Sequence, residues 1–375
     1  MAVWDELTGQ ADAIAVVEAA ASDTGDSMTH SWLITGPPGS GRSNLAYAFA
    51  AALLGGDSAT VAQVNARTHP DLGVLSTDRV IISIEEVRQL VATSQFSPSV
   101  GRYRVMVIED ADRMSERTSN VLLKALEEPP PRTVWILCAP SEADLIPTIR
   151  SRVRTVRLRV PDVEQVAALL ERRDGVDADT ALRAAREAQS HIGMAHRLAT
   201  NSQARERRER TLEVALSIRS VSDAVIAAGS LLELAKADAE AITEERDAQE
   251  REAALRSLGI EPGGTIPPAL RAQLKSLDED QKRRATRSLR DGIDRILVDL
   301  LSLYRDILLR QLGVPGDPIN VRILSELEVA AESSTPVDTL ATMDAISTSR
   351  ERIESNVPPT LALEAMLVTA IRNAR

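Results

Sequence analysis

The chain has 375 residues, 43% of them apolar but only 2% aromatic, and 44 basic against 55 acidic residues give a net charge of −11. This length predicts two or three domains with cores packed by Leu, Ile, Val and Ala, and the charge gives no support to autonomous nucleic-acid binding, a local basic patch aside. Cys138 is the sole cysteine, which excludes an internal disulfide and a cysteine-held zinc.

The opening MAVWDELTGQ carries two acids and no basic stretch, so no secretory leader is expected. The apolar run ADAIAVVEAAA is broken by Asp12 and Glu18, and no run approaches the length of a membrane span. A soluble, cytoplasmic chain with no membrane partner is expected. Residues 1–160 alternate strand and helix signals. Short apolar or β-branched runs predict strands at 32–35, 72–75, 103–108, 134–139 and 155–160, and helices should start near Asp12, Ser43 and Ile84. Continuous apolar runs such as VMVI (105–108) and VWIL (134–137) suit strands buried on both faces, as in a parallel sheet covered by helices.

From Pro161 the strand pattern stops. VEQVAALLERR, ADTALRAAREAQ and MAHRLAT read as helices. The tract 204–211, ARERRERT, reads as a solvated helix start or a linker. Long helical patterns follow at 210–257 and 277–312, the second closed by Gly313 with Pro315 just after. Between them GIEPGGTIPP (259–268) reads as a mobile loop. A final helix follows Pro358-Pro359, and there is no repeat of solenoid period.

Four segments carry chemistry. GPPGSGRS, formed by Gly36, Pro37, Pro38, Gly39, Ser40, Gly41, Arg42 and Ser43, has the spacing of a phosphate-binding loop. Such a loop turns its backbone N–H groups inward, and the helix after it adds a positive end. Arg42 stands where a lysine normally reaches the phosphates; it keeps the charge but is planar and bulkier. Ser43 is placed to meet magnesium. The alternative is a glycine-rich turn with no ligand. VMVIEDAD (105–112) ends an apolar strand on Glu109 and Asp110, the kind of pair that holds magnesium and orients water, but in reversed order. The alternative there is an acidic strand end facing solvent. Ala139-Pro140 ends the next strand, where a polar side chain would sense a terminal phosphate; Ser141 lies one residue late. TIRSRVRTVRLR (148–159) crowds five arginines, either a solvated edge strand or donors for a phosphate on a neighbouring subunit.

Taken with VWDELTGQ (3–10), HPDL (69–72), EDADRMSERTSNVLLKALEEPPP (109–131) and TIRSRV (148–153), in this order and spacing, the sequence resembles the bacterial clamp-loader subunits of the AAA+ class, most closely the delta-prime type of DNA polymerase III. The resemblance covers about 150 residues. It implies an α/β P-loop (AAA+) sheet domain over 1–160, a small helical lid over 161–205 and an all-α collar over 206–375. It also implies membership of a five-subunit ring with gamma/tau-type motor subunits and a delta subunit, acting on a sliding clamp and, through the assembly, on primed DNA. Trp4, Leu7, Gly9 and Gln10 match the box near the adenine pocket of active relatives. Ser151-Arg152-Val153 matches a Ser-Arg-Cys motif, which makes Arg152 an arginine finger supplied in trans.

The departures are several. Residues 54–68 lack the four cysteines that hold zinc in many relatives, so no zinc is expected. His196 stands where motor subunits carry a sensing arginine, with Arg197 one position later. Together with Arg42, the Glu109-Asp110 order and Ala139-Pro140, these losses compound, because phosphoryl transfer depends on positioning and electrostatics together. The expected function is a ring member with weak or no ATPase of its own, holding ATP or ADP with magnesium weakly if at all, and activating its neighbour through Arg152. The alternatives are an ATP-hydrolysing motor or remodelling subunit in which Arg42 serves for lysine, and a scaffold that contributes nothing to catalysis.

Overall fold

The computed structural model describes residues 4, 7–22, 28–77, 81–257 and 271–371, and the chain divides into two compact units, Met1–Thr200 and Asn201–Arg375. The first unit is built on five strands: β1 (Ser31–Thr35), β2 (Leu72–Leu75), β3 (Arg104–Ile108), β4 (Thr133–Ala139) and β5 (Arg154–Arg157). They form one parallel sheet in the order β2-β3-β4-β1-β5. β1, β3 and β4 are buried along their whole length, which is why their sequences are continuous apolar runs rather than alternating ones. Alternation survives as a division between two cores. Trp32, Ile34, Val105, Val107, Val134, Ile136 and Cys138 pack on one face against α1 (Ala11–Ala21) and α2 (Arg42–Leu54). Leu33, Met106, Ile108, Trp135 and Leu137 pack on the other against α4 (Ile84–Ser94) and α5 (Glu116–Glu127).

Strand limits differ from the sequence expectation by a residue or so, except that β5 stops at Arg157, three residues before the expected end. After it Leu158 N–H still donates to Thr35 O (2.7 Å), while the Arg159 N–H turns to the Gln10 side chain (3.1 Å). A short helix, α3 (Ser58–Asn65), occupies the stretch between α2 and β2, and α6 (Pro147–Arg150) precedes β5. Three helices complete the unit: α7 (Val163–Asp174), α8 (Ala178–Glu187) and α9 (Ile192–Thr200), each packed on the other two.

The second unit is helical among its described residues: α10 (Ser202–Leu216), α11 (Val221–Ser257), α12 (Arg271–Gln311), α13 (Leu324–Glu332), α14 (Pro336–Glu354) and α15 (Pro359–Thr369). The tract 204–211 is no linker but part of the start of a helix, and only some of it is solvated: Glu206 and Arg210 are exposed. It lies within α10, with Ala204, Arg208 and Thr211 buried. The Arg208 guanidinium donates to Asp299 Oδ1 (2.9 Å) and Asn320 Oδ1 (2.6 Å), so a tract that reads as surface contains a buried ion pair. The expected loop at 259–268 lies outside the described residues. No described helix is long and apolar enough to cross a membrane.

Candidate functional site

Parallel pairing sets the site's position. Thr35 at the end of β1 lies beside Ala139 of β4 and Arg157 of β5, so the loop 36–43 emerges at the carboxyl edge of the sheet, with Glu109 following β3 one strand beyond β4. Ligands of open α/β sheets sit at this edge. Gly36 N–H donates to Pro140 O (3.2 Å), which ties the loop's start to the end of β4. Gly39 and Gly41 have φ of +80° and +93°, values that side chains rarely adopt. Gly41 caps α2 with no side-chain acceptor of its own, leaving the first turn of the helix aimed into the loop. Pro37 and Pro38 are exposed at the crown, and Ser40 is buried with its hydroxyl unpartnered.

The cradle shape is therefore present, but its charged side chains serve the protein itself. Arg42 turns back and donates from Nη1 to Gly36 O (2.6 Å). Glu109 Oε1 accepts from Arg67 Nη2 (2.8 Å) and from the Tyr47 hydroxyl, and Oε2 accepts from Ser43 Oγ (3.3 Å). The Arg67 guanidinium also lies over the Tyr47 ring, 5.4 Å from its centre. Burial and the Glu109 carboxylate push the Tyr47 hydroxyl pKa far up, so it remains a donor. Asp110 stands at φ +50° and pairs with Arg113 at 3.6 Å. Asp112, two residues on, has one carboxylate oxygen buried without a partner, and burial, with Asp110 beside it, raises its pKa.

Magnesium does not fit this arrangement. It needs near-octahedral oxygen ligands and retained waters, whereas the side chains expected to meet it, Ser43 and Glu109, are bonded to each other. The carboxylate is already neutralised by an arginine, which has no lone pair to offer a metal. Arg67 is the residue that sequence reasoning missed. It comes from the stretch 54–68, marked only for lacking cysteines.

The turn between α8 and α9 packs on the loop. The His191 ring packs against Gly39 so tightly that any Cβ there would overlap it, and Ile192 N–H donates to Gly39 O (3.3 Å). Gln10 joins the loop to the sheet, its Nε2 donating to Arg159 O (2.8 Å) and Ser40 O (3.4 Å). Leu7 is buried and Trp4 packs at the edge of the same core; Gly9 has φ +73°. Asp5 and Glu6 of that box lie outside the described residues. His196 pairs through Nδ1 with Asp174 (2.8 Å), held by the last residue of α7. Ser141 caps the turn that follows it, accepting from Ala143 N–H, and is committed locally.

Arg152 stands apart from this cluster, just after α6. Its Nε donates to Glu127 Oε1 (2.6 Å) at the end of α5, and Nη1 to Thr148 O (2.7 Å). The arginine and glutamate side chains are 34% and 45% exposed, so the pair sits at the surface. Of its arginine-rich neighbours, Arg157 pairs with Glu142, Arg159 with Asp12, and Arg154 lies over the Trp32 ring. In HPDL, Asp71 is fully buried and receives four donors: Ser99 N–H (2.5 Å) and Arg104 Nη2 (3.2 Å) on Oδ1, Val100 and Gly101 N–H (2.7 Å each) on Oδ2. It fastens the loop before β3.

Residues 9–162 match the family described as DNA polymerase III, delta subunit. The delta' subunit of Pseudomonas aeruginosa is 32% identical over 162 residues, spanning 40% of this chain and 45% of that protein. The Escherichia coli delta' subunit is 30% identical over 190 residues, 47% of this chain and 57% of that protein. The gamma/tau subunit of Mycobacterium tuberculosis is 28% identical over 194 residues, 48% of this chain and 33% of that protein. The chain thus spans about half the length of the delta' relatives it matches. Among solved structures, a gamma subunit-related protein of Thermotoga maritima is 18% identical with a TM-score of 0.43, covering 96% of this chain and 98% of that one.

Proposed function

We propose, from the match of residues 9–162 to the family described as DNA polymerase III, delta subunit, and from the delta' relatives, that the whole chain is a delta-prime-type clamp-loader subunit with weak or no ATPase of its own, acting on its neighbour through Arg152. The observation that carries this reading is the contrast between two sets of cations. Arg42 and Arg67 are engaged at the chain's own site, one by Gly36 O and one by the largely buried Glu109 carboxylate. Arg152 lies at the surface, held by a half-exposed carboxylate. A phosphate replaces that carboxylate readily, because guanidinium binds both anions through the same planar fork.

In this reading the partners are gamma/tau-type motor subunits and a delta subunit in a five-membered ring. Its target is a sliding clamp, and primed DNA is met through the assembly. The sheet unit, the lid helices and the helical unit correspond to the motor-like body, the lid and the collar. No step of hydrolysis is assigned to the chain's own loop.

The test is a reconstituted complex with motor subunits, clamp and primed DNA, in which wild type, Arg42→Ala and Arg152→Ala are compared for ATPase and clamp loading. Arg42→Ala is expected to leave both nearly unchanged. Arg152→Ala should slow hydrolysis strongly at the one motor site it serves; comparable fingers contribute roughly 10³–10⁵ in rate. Unchanged activity with Arg152→Ala, or rapid ATP turnover by the isolated chain, overturns the proposal.

A further inference from the structure

The disagreement between the loop and magnesium has a specific author, Arg67. We propose that Arg67 is a built-in cation that takes the place of the divalent metal, so that the loop admits a nucleoside di- or triphosphate only free of metal. The geometry is a three-sided enclosure of Glu109. Ser43 Oγ approaches Oε2 from the first turn of α2, Tyr47 Oη approaches Oε1 from the next turn, and Arg67 Nη2 meets the same Oε1 at 2.8 Å from outside the loop. The Glu109 side chain is left 14% exposed, whereas that of Arg67 is 49% exposed.

The delivery of Arg67 is specified locally. Asp57 caps α3, accepting from Ala59 and Thr60 N–H at 2.9 Å each. The far end of α3 closes through Arg67 N–H to Val64 O (2.9 Å) and Thr68 N–H to Gln63 O (2.9 Å), with Arg67 at φ +58°. A non-glycine residue in that conformation is uncommon and costs backbone energy. The stack on Tyr47 then fixes the plane of the guanidinium. Three separate features, the cap, the left-handed residue and the stack, direct one positive charge onto the carboxylate that would hold the metal.

The chemistry follows from charge and lone pairs. A guanidinium is permanently charged and offers donors only. It neutralises Glu109, repels a second cation, and leaves the loop amides and the helix end as the groups available to phosphate oxygens. Magnesium normally raises the affinity of such loops by bridging phosphates to the serine and the carboxylate; here both are engaged.

The experiment uses the full chain and N-methylanthraniloyl-ADP, titrated by fluorescence in EDTA and in magnesium, together with Mn²⁺ electron paramagnetic resonance in the presence of ADP. Wild type is expected to bind the nucleotide with affinities in the two buffers that agree within about twofold, and to hold no Mn²⁺. Arg67→Ala should bind at least about tenfold tighter with magnesium than with EDTA and show a bound Mn²⁺ signal, and Arg67→Lys should restore the wild-type indifference. Thermal melts of all three should coincide, since the Arg67 side chain is half exposed. A tenfold magnesium effect on wild type, no gain of metal dependence in Arg67→Ala, or no nucleotide binding by either at millimolar concentration overturns the proposal. None of these outcomes bears on Arg152, so failure here is separable from failure of the trans reading.

Discussion

Replacing Asp71 by asparagine should destabilise the sheet unit by about 3–5 kcal/mol, the range found when one partner of a buried pair is removed. Each carboxylate oxygen receives two donors: Ser99 N–H and Arg104 on one, Val100 and Gly101 N–H on the other. Asparagine has one acceptor oxygen and one NH₂ group. With the NH₂ facing Val100 and Gly101, two backbone N–H groups lose their acceptor at about 1–3 kcal/mol each. Flipped, the amide opposes Ser99 N–H and Arg104, and Arg104 keeps only Ser97 O (3.0 Å) and Ser99 Oγ (3.5 Å). Either choice also removes the charge facing a guanidinium that is 7% exposed. The assay is urea unfolding followed by tryptophan fluorescence, because Trp4, Trp32 and Trp135 all lie in the first unit and report on it alone. A loss under about 1 kcal/mol with an unchanged slope against urea would refute the assignment of Asp71 as the fastening of this loop.

The same group sets an acid dependence. Burial alone would raise the Asp71 pKa, but the backbone donors at 99–101 and Arg104 outweigh it and hold the carboxyl below its ordinary range. Its contribution is thus complete above the unfolded value, about pH 4, and is lost as pH falls through the lowered folded value; Asp71→Asn should flatten that acid limb in a pH series of urea midpoints. Gly39→Ala meets both a left-handed backbone, worth about 1–2 kcal/mol, and the His191 ring, with overpacking adding about 1–3 kcal/mol; the tryptophan-detected midpoint should drop accordingly, and a neutral result would sink the packing of His191 on the loop. Glu127→Ala removes a surface partner worth under about 1 kcal/mol, so stability should hardly move while the motor ATPase in the reconstituted complex stays equal or rises; a fall would mean that Glu127 positions Arg152 rather than restraining it. Arg208→Met strands Asp299 in the helical unit and should cost about 3–5 kcal/mol, read by far-UV circular dichroism because that unit has no tryptophan.

The sequence by itself determined the parallel sheet, since strands buried on both faces must be apolar without interruption, and VMVI and VWIL could be little else. It also marked the phosphate-type loop by its glycine spacing, which suits the backbone at 39 and 41, where side chains are rare. Left illegible were α13 and α14, and the burial of Arg208, which looked solvated until Asp299 and Asn320, roughly a hundred residues away, supplied partners. Tertiary structure alone decided what the loop's charges do. Glu109, Ser43, Tyr47 and Arg67 are scattered over 66 positions, and only Ser43 and Tyr47, one turn apart on α2, are related by local periodicity. Hydrogen bonds and ion pairs act over a few ångströms of space, whatever the separation along the chain, so the same acidic residue reads as a metal ligand in sequence and as an arginine's partner in the folded protein.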